Sequence, residues 1–81
     1  MKVSVLFFAH ARDRAGRASA ELTLPDGSRV GDALAALVRE HPALEPLRPH
    51  LAVAMNGKVV RADAALVDGA ELALLPPVSG G

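Results

Sequence analysis

Val30-Gly31-Asp32-Ala33-Leu34-Ala35-Ala36-Leu37-Val38-Arg39-Glu40 is the stretch on which the fold turns. Val30, Ala33, Leu34, Leu37 and Val38 recur at the spacing i, i+3, i+4, i+7, i+8, which puts one apolar stripe along a single face of an α-helix. Asp32 in the first turn suits the positive end of the helix dipole, and His41-Pro42 marks the stop. Arg29 stands at the N-cap, where Ser or Thr would serve better, so packing of the stripe has to hold this helix. A helix apolar on one side needs a partner surface, and the flanking segments read as strands that could supply it.

Upstream, Val3 to Ala9 reads as a buried strand, with Val3, Val5 and Phe7 on one face and Leu6 and Phe8 on the other. Apolar residues on both faces suggest a central place in a sheet. His10 to Gly16 is a polar connection that could hold a helical turn. Ala18 to Leu24 alternates, Ala20, Leu22 and Leu24 inward against Ser19, Glu21 and Thr23 outward, and suits the antiparallel partner of the first strand. Pro25-Asp26-Gly27 supplies the turn that leads to the helix. Downstream, Ala43 to His50 contains Pro46 and Pro49 and reads as an irregular crossover. Leu51 to Met55 and Lys58 to Arg61 form a hairpin around Asn56-Gly57, a type I′ turn pair, and Asp68-Gly69 turns the chain into a last strand, Glu71 to Leu75. Strand, strand, helix, strand, strand, strand gives an α+β domain: a mixed sheet of about five strands packed on one main helix.

Eighty-one residues make one domain with a small core, and the only aromatics are Phe7 and Phe8, so that core is aliphatic. Nine basic residues balance nine acidic ones. Neither charge nor a stacking platform favours nucleic acid. Cysteine is absent, which removes disulfides, cysteine zinc sites and thiol nucleophiles. No apolar run reaches the length of a membrane span, and the start lacks a signal-peptide layout, so a cytoplasmic protein without a membrane partner is expected.

After the last strand come Pro76-Pro77-Val78-Ser79-Gly80-Gly81. Proline donates no ladder hydrogen bond and holds φ near −65°, so pairing should stop there and a stiff extended segment begin. Fully extended, residues 76–81 could reach roughly 20 Å. Gly80 and Gly81 have no side chains, so a partner could close around their backbone and reach the terminal carboxylate. The residues alone fit two readings, a frayed end or a working tail. The division expected is therefore a body over residues 1–75 and a tail over 76–81.

Nothing in the body reads as an active site. His10, His41 and His50 are not at metal-ligand spacing and read as solvated surface groups; no metal is expected. The serines lack the Gly-x-Ser-x-Gly elbow of a nucleophile. Arg12, Asp13 and Arg14 form a charged loop that either docks a partner or is merely solvated. Lys58 and Arg61 sit on a hairpin edge, where charge also guards against edge pairing. Arg12 and Lys58 are the candidate basic partner contacts.

Val5-Leu6-Phe7-Phe8-Ala9 followed by Arg12 and Gly16, the stretch Ala52-Val53-Ala54-Met55-Asn56-Gly57, and Asp68-Gly69-Ala70-Glu71-Leu72 running into Leu75-Pro76-Pro77-Val78-Ser79-Gly80-Gly81 resemble the small subunits of molybdopterin synthases. The resemblance runs through the whole chain, and its most specific part is the Pro-Pro-Val-Ser-Gly-Gly end. It implies a β-grasp, ubiquitin-like fold whose terminal glycine, Gly81, carries sulfur. On that pattern an E1-like enzyme uses ATP to adenylate the Gly81 carboxylate, a sulfur donor converts it to a thiocarboxylate, and the tail enters the large synthase subunit in a heterotetramer. Sulfur then passes to a pterin precursor. Leu74, Leu75, Pro76, Pro77, Val78, Ser79 and Gly80 would be the partner contacts, and the chain itself would bind no cofactor and catalyse nothing alone. Phenylalanines common before the prolines in the family are Leu74 and Leu75 here. The alternatives are a carrier for thiamine or tRNA thiolation, a ubiquitin-like protein modifier, and a plain β-grasp binding module with a loose end.

Overall fold

The computed structural model describes residues 1–76. Five strands, β1 (Lys2–Phe7), β2 (Ser19–Thr23), β3 (Ala52–Met55), β4 (Lys58–Val60) and β5 (Glu71–Leu75), form one sheet in the order β2-β1-β5-β3-β4. β1 and β5 run parallel and every other pairing is antiparallel. The sheet grasps α2 (Val30–Glu40) on one face, with α1 (Ala9–Ala15) and a 3₁₀ helix (Pro42–His50) beside it. This is the mixed-sheet β-grasp expected, and β1 has the central place its two apolar faces suggested.

The helix boundaries match the periodic stretch. Val30, Ala33 and Leu37 are fully buried, Ala36 is buried at the margin, and Leu34 and Val38 pack partly against the core. Opposite them stand Val3, Val5 and Phe7 of β1 and Leu72 and Leu74 of β5, with Leu22, Leu44 and Leu66 filling the ends. Arg29 offers no side-chain cap, but Asp32 turns back and accepts the Arg29 N–H at 2.8 Å, half of a capping box. Gly31 sits against the backbone of Ala62. Its N–H donates to the Ala62 carbonyl at 2.8 Å, and a Cβ there would meet that oxygen at 3.2 Å.

Two segments differ from the expectation. The polar connection after β1 is a two-turn helix, closed by Gly16 in the left-handed region (φ 73°) with its N–H on the Arg12 carbonyl. Only Ala11 is buried along α1, so its sequence shows almost no helical stripe. Its first residue, Ala9, takes φ 50°, a conformation that costs an L-residue roughly 1–2 kcal/mol. The crossover is a 3₁₀ helix anchored by the buried Leu44; Pro46 and Pro49 cannot donate to an α-helical ladder, so a short-range helix is what remains.

The turns fall where the sequence put them. Asn56 and Gly57 both have positive φ (50° and 87°), as type I′ requires. They also do more than reverse the chain. The Asn56 carboxamide oxygen accepts the Glu71 N–H at 2.9 Å, and an Asp68 carboxylate oxygen accepts the Lys2 N–H at 2.7 Å, so each turn latches a neighbouring strand. Ser28, the buried polar side chain, donates to the Pro25 carbonyl and closes the turn before α2. Among the described residues no helix is long and apolar enough to cross a membrane.

Candidate functional site

The sequence analysis expects a tail after β5, and the described residues show how β5 leads up to it. Pairing with β1 carries β5 to Leu74, opposite Phe7, and pairing with β3 carries it to Leu75, opposite Ala52. Pro76 is exposed beyond the last ladder pair. Pro77, Val78, Ser79, Gly80 and Gly81, all expected as tail or partner contacts, lie outside the described residues.

The two leucines before the tail are not equivalent. Leu74 is 0% exposed and belongs to the core beneath α2, so its side chain offers nothing to a partner; the expectation that it forms part of the contact surface is corrected here. The reason is the two-residue alternation of a strand: Leu72 and Leu74 share the inner face, leaving Glu71, Ala73 and Leu75 on the outer one. Leu75 is only half-buried.

That outer face carries an apolar surface that sequence reasoning did not assemble. Leu6, Ala73, Ala54 and Val59 stand opposite one another across β1, β5, β3 and β4 in a single row. Leu75 and Ala52 begin a second row at the tail end, and Phe8, still extended (φ −122°, ψ 152°), continues the outward alternation of β1 beside them. Phe8 is 43% exposed and Val59 70%. Beside this apolar strip Ser4 faces Glu21 on one side and Glu71 on the other, and a shallow hollow of about 370 Å³ is edged by Arg17, Glu21 and Glu71. An apolar strip with a charged margin on an open sheet face is the composition of a protein-docking surface. The signal was present in Leu6, Phe8, Ala52, Ala54, Ala73 and Leu75, but single strands cannot show which of their faces lacks a helix.

The basic candidates are separated. Arg12 is exposed on α1, which packs against β1 and β5 near the end where β5 delivers the tail. Lys58 opens β4 opposite Met55, and Met55 pairs with Leu72, at the other end of the sheet from Leu75. They do not form one patch. Of the histidines, His10 and His50 are exposed as expected, whereas His41 is half-buried with its ring edge-on to Phe7 at 5.8 Å. Among the described residues no three His, Cys, Asp or Glu side chains come together as metal ligands.

Comparison with known proteins agrees with this geometry. A sequence profile of the ThiS family matches residues 5–81. The chain is 40% identical over 83 residues to the molybdopterin synthase sulfur carrier subunit of Chlamydomonas reinhardtii, with both chains covered completely. It is 42% identical over 82 residues to small archaeal modifier protein 1 of Haloferax volcanii, covering 91% of this chain and 94% of that protein. The crystal structure of SAMP1 from Haloferax volcanii superposes with a TM-score of 0.89 at 38% identity, each chain covered in full. In the protein–protein complex of subunits 1 and 2 of the molybdopterin-converting factor from Helicobacter pylori, one chain matches over its whole length with a TM-score of 0.71 and 27% identity. With the profile spanning nearly the entire chain and relatives this similar from end to end, the protein belongs to the ThiS family of β-grasp, ubiquitin-like proteins.

Proposed function

We propose that this chain is the sulfur carrier of a molybdopterin synthase, its small subunit, with Gly81 as the carrier position. The observation that carries the proposal is the end-to-end match to a carrier subunit of that enzyme, on a fold whose β5 hands the chain to the tail beside an open apolar face. At neutral pH a C-terminal carboxylate is an anion and a poor electrophile. An E1-like enzyme would therefore spend ATP on it: a carboxylate oxygen attacks the α-phosphorus, pyrophosphate leaves, and an acyl adenylate forms. Sulfur from the donor then displaces AMP to leave a thiocarboxylate. Held in the large subunit's pocket, that sulfur is a nucleophile at high effective concentration next to a pterin precursor. Leu6, Phe8, Leu75 and Val59 would seat the body on the large subunit, with Pro76, Pro77, Val78, Ser79 and Gly80 threading the pocket and the complex a heterotetramer. Arg12, on the tail side, fits the margin of that contact better than Lys58. The cytoplasm is the compartment this chemistry calls for.

A second reading has its own support. Similarity to a small archaeal modifier protein is as high as to the carrier subunit, so the same activated Gly81 could be passed to a lysine amine instead of to sulfur. Intact mass of the purified protein before and after incubation with ATP, sulfur donor and the host's activating enzyme tests the carrier step. A gain equal to replacement of one oxygen by sulfur at Gly81 is expected, and its absence with an enzyme proven active would overturn the assignment. Isopeptide-linked conjugates in cells, recovered with no pterin-linked sulfur transfer, would favour the modifier.

A further inference from the structure

A groove of about 500 Å³ opens on the other side of the sheet, between α2, the end of the 3₁₀ helix and the β3–β4 hairpin. Its floor is apolar: Val53 is buried, while Leu34, Leu51 and Val60 are only partly covered and pack against the core. Arg48, near the end of the 3₁₀ helix, and Arg61, one residue past β4, line the same groove, and both are exposed. Among the described residues no carboxylate lines it. Among the described residues neither guanidinium takes part in an ion pair or a side-chain hydrogen bond. By contrast, the hollow beside the Pro25–Ser28 turn mixes two carboxylates, Asp26 and Asp32, with one guanidinium, Arg39.

Two further facts define an occupant. Among the described residues β4 is an edge strand, with no strand paired on one side of its backbone. Val60 pairs with the inner-face residue Val53 and so faces the groove, whereas Val59 faces the opposite surface. We propose that this groove docks an extended segment of a partner protein, added along β4, in which apolar residues are flanked by carboxylates. The open edge supplies main-chain hydrogen bonds, the floor takes alternate apolar side chains, and Arg48 and Arg61 choose the sign of what flanks them. The groove and the outer apolar strip lie on opposite sides of the sheet and meet at Ala52, which borders both, so the two can be occupied together. A partner could hold the body here while the tail is engaged elsewhere. The inference does not depend on what the tail carries.

The test is NMR titration of the ¹⁵N-labelled full chain with two synthetic peptides, acetyl-Glu-Val-Val-Val-Glu-amide and acetyl-Lys-Val-Val-Val-Lys-amide. The acidic peptide should shift the amides of Leu34, Leu51, Val60 and Arg61 in a saturable way and leave Leu6 and Ala73 in place, with the basic peptide binding more weakly. In the double variant Arg48→Glu, Arg61→Glu the acidic peptide should lose about tenfold or more in affinity and the preference should reverse. Both positions are exposed, so the variant should keep its fold, as an unchanged amide spectrum elsewhere would show. Equal binding of the two peptides, shifts confined to the outer face, or none at millimolar peptide would overturn the proposal.

Discussion

Leu74 and Leu75 are neighbours on opposite faces of β5, and point substitutions should separate them. Leu74→Ala removes a fully buried side chain under α2 and should cost about 2–5 kcal/mol, a large share of the roughly 4–12 kcal/mol expected for a domain of this size. Leu75→Asp should lower the thermal midpoint far less yet weaken binding to the large subunit, as read by paired melting and calorimetry. Equal losses in both experiments would make Leu75 a core residue. Ala9 offers the reverse case. Its φ of 50° is one that glycine accepts without strain, so Ala9→Gly should raise stability by roughly 0.5–1 kcal/mol once the extra freedom of the unfolded glycine is subtracted. Denaturant unfolding of the two proteins checks the sign. Arg12 and Lys58 show what residue type alone conveys: both are exposed cations, and only the strand register reveals that they sit at opposite ends of the sheet.

Elements were legible in the sequence in proportion to how much of their stability comes from a regular apolar period. α2 has a complete stripe, and its limits are those of the periodic stretch; the strands are found within a residue or two, because alternation and the Asn56-Gly57 and Asp68-Gly69 pairs bound them. α1 was legible only as a polar link. It buries little beyond Ala11 and depends on Gly16 and on packing against β1, β5 and the 3₁₀ helix, contacts that no local pattern encodes. The outer apolar face was hidden for a related reason: β1, β3 and β5 carry apolar residues on both sides, and only the assembled layers tell which side α2 leaves uncovered. The latches were equally silent. Asp32 read as a dipole partner, but its carboxylate also accepts the Arg29 N–H, the N3 half of a capping box, and Asp32→Ala should cost about 0.5–1.5 kcal/mol. A chemical denaturation series that includes Asp32→Asn distinguishes loss of the acceptor from loss of charge: the amide oxygen can still accept, so stability should partly return.

For the whole molecule, body and tail should be separable by experiment. Deleting Gly80 and Gly81 should leave the melting temperature within error while abolishing both sulfur loading and molybdoenzyme activity in the host; normal enzyme activity in the deletion strain would sink the carrier assignment. Conversely, Val59→Glu and Phe8→Glu, at exposed positions of the outer strip, should weaken the complex with the large subunit by tenfold or more with little loss of fold. The central place of β5 has a consequence in time. β1 and β2 can pair early, as can β3 and β4, for each is a local antiparallel unit; the two hairpins become one sheet only when Glu71–Leu75 slides between them. Joining segments so distant in the chain is the slow kind of folding step, because loop entropy must be lost before the contacts form. During synthesis the ribosome delivers that keystone after everything it must join. A nascent chain therefore waits as two unconnected halves, and the segment that closes the sheet is the one that presents the tail, so maturation of the body and readiness of the tail arrive as a single event.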